Sequence, residues 1–221
     1  MSARPGGWYN PRDRGGPIVR DVPKLPRREI GGHKGTYGKV LVVAGARGMS
    51  GAAVLCGRAA LRSGAGLVQV ACPHDVQNVV AAAYPAYTTF GIRQHADGTY
   101  PDGAAEEVVE LASLADAIVI GPGLGRDAST ARFVRQMLAD LTDATVVLDA
   151  DGLFAVSPFR DEVTSPGATL VLTPHPGEFA RLTGREAPGT DAERAEQAEA
   201  FARRFGGVML LKGAGTVVTD G

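Results

Sequence analysis

The feature that most narrows the folds open to this chain is an alternation that begins at Lys39. Short apolar runs at 40–44, 67–71, 86–90, 116–120, 145–149, 169–172, 207–211 and 216–219 are separated by stretches of helical character. Most of these runs are solidly apolar, which suits strands covered on both faces, and strands that alternate with helices suit a parallel sheet joined by crossovers. Helices are expected over 51–63, 75–82, 103–113, 128–140, 152–156, 177–183 and 191–205. The expected architecture is α/β, a three-layer α/β/α sandwich with a largely parallel sheet. A glycine turn between the last two runs reads as a hairpin. At 221 residues, 44% hydrophobic and 21% charged, the chain has enough apolar surface for one large domain, placed at 31–221. Residues 1–30 hold five prolines among glycines and arginines. That composition reads as a flexible tail, because it has little to bury and no donor pattern for a regular element.

Charge and cysteine content set aside several functions. A formal net charge of −1 gives no support for a nucleic-acid or membrane-surface partner. Cys56 and Cys72 are too few for a disulfide scaffold, and Cys56 is placed like a small core residue on its helix, so a reducing, cytoplasmic setting is the expectation. No run approaches the roughly 18 apolar residues of a membrane span, and no apolar leader stands near residue 1.

In a parallel sheet, ligands gather at the carboxyl ends of the strands, so the loops there carry the functional information. The first follows 40–44, where glycines run into a helix begun by Ser50 and Gly51. Free N–H groups at a helix start attract an anion if glycine lets it approach. The same glycines also serve a tightly packed turn, with Ala52, Ala53, Cys56, Ala59 and Ala60 as the inner helix face. Gly45, Gly48 and Gly51 are spaced in threes with Arg47 between them, which does not match G-x-G-x-x-G and disfavours an ordinary dinucleotide dehydrogenase.

Four later loops add candidates. Gly121, Gly123 and Gly125 leave the backbone after 116–120 open to a ligand, and Asp127 is placed to cap the next helix. After 145–149, Asp149 is a candidate for a hydrated Mg²⁺ or a substrate hydroxyl, whereas Asp151 suits the N-cap of a short helix. His175, between Pro174 and Pro176, is presented in one direction by a stiff loop, as a hydrogen-bond partner or proton relay whose exposure predicts a small stability cost on replacement. Lys212, at the end of a buried strand, is not needed by the hairpin and suits a nucleotide phosphate or ribose. The glycine-rich segment 33–38 around His33 is a candidate ligand cover, and Thr190 with Glu193 forms a capping box.

Read in order, HKGTYGKVLVVAG (33–45), MSGAAVLCGRAALRSGAGLV (49–68), GPGLG (121–125), DADGL (149–153), LTPHPGEFARL (172–182) and LLKGAGTVVTDG (210–221) resemble the ADP-dependent NAD(P)H-hydrate dehydratases, which are ribokinase-like enzymes. The resemblance implies ADP-dependent dehydration of the S-epimer of hydrated NAD(P)H, a lyase reaction that repairs a damaged nicotinamide nucleotide. It implies contacts of the hydrate with Ala52, Ala53, Gly121, Gly123, Gly125 and His175. It implies that Lys212, Gly213, Ala214, Gly215 and Thr216 hold the adenine nucleotide. It also implies bound Mg²⁺, a homo-oligomer such as a tetramer, and an epimerase acting on the same metabolite. The family's general-base aspartate and oxyanion donors follow the hairpin, past Gly221. The 221 residues are therefore expected to be a C-terminally incomplete domain that binds better than it catalyses. Two other readings stay open: a ribokinase-like kinase of a small hydroxylated metabolite, and a catalytically silent dinucleotide-binding protein.

Overall fold

The computed structural model describes residues 27–160, 167–186 and 189–221; most of the expected tail, up to Pro26, lies outside the described residues. The strands are β1 (Lys39–Val43), β2 (Leu67–Pro73), β3 (Thr88–Ile92), β4 (Ala117–Ile120), β5 (Thr145–Leu148), β6 (Thr169–Leu172), β7 (Val208–Leu211) and β8 (Val217–Thr219). The helices are α1 (Ser50–Arg62), α2 (His74–Ala83), α3 (Ala104–Ala112), α4 (Ala128–Asp140), α5 (Asp151–Ala155), α6 (Pro176–Thr183) and α7 (Asp191–Phe205). They build one sheet in the order β3-β2-β1-β4-β5-β6-β7-β8. Every neighbouring pair is parallel except β7 and β8, the expected hairpin.

Period-two geometry sends alternate residues of β1 to opposite layers. Leu41 and Val43 join a core with Ile118, Ile120, Leu148, Phe133 and Phe179, roofed by α3 to α7. Val42 and Ala44 join a smaller core with Val68, Val70, Val76 and Val80 beneath α1 and α2. Helix α1 approaches the sheet at Gly57, where a Cβ would stand 2.8 Å from Val70 Cγ2 and 2.9 Å from Tyr87 Cδ1. Ala59, expected on that inner face, is exposed.

The two layers are unequal in extent. On the α1/α2 side, Val147, Val171 and Leu210 are only half-buried, and Val218 on β8 is 62% exposed. Among the described residues the molecule therefore has three layers over β1 and β2 but two towards β8. The apolar character of β5 to β7 promised cover on both faces, and the described helices supply it on one.

The strand amino ends are closed by the segment around His33. It forms a single 3-10 turn, Lys34–Tyr37, with His33 Nδ1 accepting from the Gly35 amide. Gly66, just before β2, touches this turn so closely that a Cβ there would lie 1.7 Å from the Lys34 carbonyl oxygen. The turn thus packs at the opposite end of the sheet from the carboxyl-end loops where a ligand is expected, which corrects its reading as a cover. Arg28 donates to the Gly64 carbonyl at 2.8 Å and Tyr37 Oη donates to the Glu29 carbonyl, so the last residues assigned to the tail are anchored there.

Candidate active site

Strands β1 and β4 are neighbours in the sheet but feed helices on opposite faces, and such a switch point leaves a crevice at the carboxyl ends. Here the two loops are stitched together, the Gly45 amide donating to the Pro122 carbonyl at 2.8 Å and the Gly121 amide to the Val43 carbonyl at 3.1 Å. An open trough of about 640 Å³ remains, bounded by Met49 and Ala52 of the α1 start, Gly123, Gly125, Arg126 and Ala150. Gly123 and Ala52 share its floor: a Cβ on Gly123 would fall 2.9 Å from the Ala52 Cβ.

Three of the six residues expected to contact the hydrate do not line this trough: His175, which stands with a second group of side chains, and Gly121 and Ala53. Gly121, at φ +129°, has its missing side-chain position filled by backbone, since a Cβ would lie 1.9 Å from the Asp149 carbonyl oxygen and 2.5 Å from the Gly152 amide. Its glycine character serves a crossing of two strand ends. Ala53 has no exposed surface and lies under Gly45, 3.0 Å from where a Cβ would be. The remaining trough residues, Ala52, Gly123 and Gly125, are where a ligand has room.

Asp151 was expected to cap α5, yet it is the first residue of that helix, and Ala150 stands in the cap position with no side-chain bond. The Asp151 carboxylate, 7% exposed, instead accepts from the Gly125 amide at 3.0 Å and from Arg126 Nε at 2.7 Å. It fixes the glycine loop over the trough. Asp127 does cap α4 as expected, accepting from the Ser129 and Thr130 amides.

A second group of side chains forms at the ends of β5, β6 and β7. Lys212 Nζ stands 2.7 Å from Asp149 Oδ1 and 3.8 Å from Glu178 Oε2, and its amide donates to the Pro174 carbonyl. His175 is the N-cap of α6: Nδ1 accepts from the Gly177 and Glu178 amides at 3.0 and 3.3 Å, while Glu178 Oε2 accepts from the His175 amide. With Nδ1 used as an acceptor, the neutral ring carries its proton on Nε2. That side chain is 56% exposed, with Nε2 3.5 Å from Glu178 Oε1. The stiff loop was legible from its prolines, but the cap was not.

The turn Gly213–Thr216 is braced from below by Arg194 of α7, which donates to the carbonyls of Leu211 and Lys212. Gly213 is needed because a Cβ would meet the Arg194 guanidinium at 2.1 Å. Thr216 Oγ1 donates back to the Gly213 carbonyl at 3.0 Å. Arg194, Arg126 and Glu178 were all missed from sequence. Arg126 had a signal, since it follows the glycine loop directly; Arg194 had none, because a charge inside a polar helix reads as solvated.

This donor set does not build a divalent-cation site of its own. Asp149, the candidate ligand, is engaged by the Lys212 ammonium, and Asp151 by Arg126 and a backbone amide. No group of three or more His, Cys, Asp or Glu that could hold a metal occurs among the described residues. Nor are the thiols poised as nucleophiles: burial pushes Cys72 up to about 11, and burial followed by the Asp149 charge raises Cys56.

Comparison with known proteins gives this arrangement a context. A family model described as NAD(P)H-hydrate dehydratase matches residues 40–221. A bifunctional NAD(P)H-hydrate repair enzyme of Moorella thermoacetica is 42% identical over 195 residues, covering 88% of this chain and 37% of the relative. The chain thus spans little more than a third of such bifunctional relatives. An ADP-dependent (S)-NAD(P)H-hydrate dehydratase of Xanthomonas campestris is 37% identical, covering 92% of this chain and 70% of its own length. The solved structure of an ADP/ATP-dependent NAD(P)H-hydrate dehydratase from Bacillus subtilis, co-crystallised with ATP/Mg²⁺, superposes with a TM-score of 0.71 at 34% identity, covering 88% of this chain and 65% of that one. A solved ribokinase-like superfamily protein of Enterococcus faecalis shares the fold at 24% identity, with a TM-score of 0.70 over 87% of this chain and 63% of its own. With the family model matched from the first strand to the last and the ordered glycine, histidine and lysine loops meeting at one sheet edge, this chain belongs to the NAD(P)H-hydrate dehydratase family.

Proposed function

We propose that this chain takes part in the ADP-dependent dehydration of (S)-NAD(P)H hydrate to NAD(P)H, with release of AMP and phosphate. The observation that carries the reading is the adjacency of two unlike subsites on one sheet edge. A smooth trough of small residues lies between β1 and β5, and a charged turn follows β7. The trough, with Ala52, Gly123 and Gly125, suits a flat dinucleotide, and the exposed His175 Nε2–H is a fixed donor for its polar end. Lys212 and the amides of Gly213 to Thr216 suit the phosphates of ADP, and Arg194 keeps that turn rigid.

The chemistry follows from leaving-group ability. As a general base takes its proton, the hydrate hydroxyl oxygen bonds to the terminal phosphorus of ADP and the bond to the AMP oxygen breaks. The resulting phosphate ester then loses phosphate from the ring carbon and a proton from its neighbour, restoring the double bond. Phosphate leaves far more readily than hydroxide, so the nucleotide drives an otherwise slow water loss. Within this reading Lys212 exchanges its bond to Asp149 for one to phosphate, and any Mg²⁺ travels on the nucleotide's phosphates rather than on Asp149. Homo-oligomer formation, a cytoplasmic setting and an epimerase that feeds the S-form belong to the same proposal.

Calorimetry and absorbance at 340 nm test it. The folded protein is expected to bind ADP and hydrated NADH at separate sites and to prefer the S-hydrate. Protein that binds neither hydrate nor ADP would overturn the reading.

A further inference from the structure

We propose that Arg126 is the phosphate-binding residue of the trough, gripping a phosphate of the dinucleotide substrate; this rests on the reading of the trough given above. Four observations converge on this side chain. It lines the trough, whose other walls are glycines, alanines and Met49 apart from Asp151. Its Nε is tied at 2.7 Å to the buried Asp151 carboxylate, which is itself held by the Gly125 amide. Its guanidinium carbon stands 5.4 Å from the centre of the Phe154 ring. Its two terminal nitrogens have no partner among the described residues, and the side chain is 54% exposed.

A guanidinium fastened through Nε alone is fixed in plane while its outer N–H groups stay free. That fork matches two oxygens of one phosphate. An arginine meant only to neutralise Asp151 gains more by a two-pronged pair with both carboxylate oxygens. Here the second oxygen is given to a backbone amide, and the fork is left for something else. The trough offers an anion no other cation from its walls, and Arg126 offsets the charge of Asp151 there. A nicotinamide dinucleotide carries such a group in its pyrophosphate and, in the phosphorylated form, at the ribose 2′ position.

The test is calorimetry of Arg126→Gln and Arg126→Lys against the parent, with NADH, NADPH and ADP as probes. Arg126→Gln is expected to weaken dinucleotide binding by about tenfold or more, with affinity falling more gently as salt rises than in the parent. ADP affinity should be unchanged. Arg126→Lys keeps a charge beside Asp151 and a folded loop but loses the fork, and should fall between the two. Equal losses for NADH and NADPH identify the pyrophosphate; a loss for NADPH alone identifies the 2′-phosphate. Unchanged affinity for both dinucleotides in both variants, or a matching loss for ADP, overturns the role of Arg126. A parent that binds neither dinucleotide overturns the trough's assignment instead.

Discussion

The two halves of this sheet edge are built on different principles. At the β1/β4 corner the shape comes from the main chain: Gly121 and Gly123 are glycines because another part of the protein occupies or borders the space a side chain would take. At the β5–β7 end the shape comes from charges that hold each other, with Lys212 between Asp149 and Glu178 and His175 anchored in a helix cap. Close packing tolerates almost no added volume, whereas a half-exposed ion pair is a weak bond with exchangeable partners. The corner should therefore respond to mutation through stability, and the charged end through ligand affinity.

Gly121→Ala is the severest way to test this contrast. The added Cβ meets backbone and the φ of +129° is strained for any side chain, so a loss of about 3 kcal/mol or more in urea unfolding is expected. Gly48, also at positive φ (+81°) but with nothing within 4 Å, should cost only about 1 kcal/mol on the same change. Similar losses at both positions would break the packing account of the corner.

Lys212→Ala should leave stability within about 1 kcal/mol, because the pair with Asp149 is partly exposed. It should weaken ADP binding by on the order of tenfold in calorimetry. Full ADP affinity would remove Lys212 from the nucleotide subsite. A large fall in stability would instead make the charged end structural like the corner.

The smallest expected effects come from His175. His175→Ala removes an N-cap and should cost about 1 kcal/mol of stability, where an exposed loop residue would cost almost nothing. His175→Asn keeps an acceptor for the Gly177 and Glu178 amides but removes the outward Nε2–H. It should restore most of that stability while hydrate affinity stays several-fold low. If Asn recovers both properties, His175 is a cap and nothing more.

The strands and helices were legible because each announces itself within its own residues. The apolar runs gave all eight strands, and Thr190 with Glu193 gave the start of α7. In the candidate site, His175 between prolines and Lys212 at a strand end stood out because their local patterns gave neither an evident packing role, and the helix cap that His175 provides was not visible there. Whether a glycine opens space or yields it to a neighbour depends on what lies opposite. Gly121 and Ala53 read alike with Gly123 and Ala52 in sequence but differ in what surrounds them. Asp151 shows the same limit: its partners, Gly125 and Arg126, lie on another loop and leave no trace in the local pattern. The half-covered face across β5 to β8 escaped for a related reason, since an apolar run records that a strand avoids water without recording what covers it.

Ala150 links the two halves. It is one of two non-glycine residues with positive φ among those described, at φ +50° and ψ −115°, and it separates Asp149 from Asp151. Such a backbone is costly for alanine and persists only where its surroundings enforce it. The kink is accompanied by a division of labour: the carboxylate before it reaches the lysine after β7, and the one after it reaches the arginine beside the trough. The edge is thereby partitioned into two compartments, a one-to-one pair of Arg126 with Asp151 and a lysine shared by Asp149 and Glu178, rather than one unpaired acidic patch. In the proposed reading, each of the two polyanionic ligands meets a cation that the protein has already paired and so holds in place.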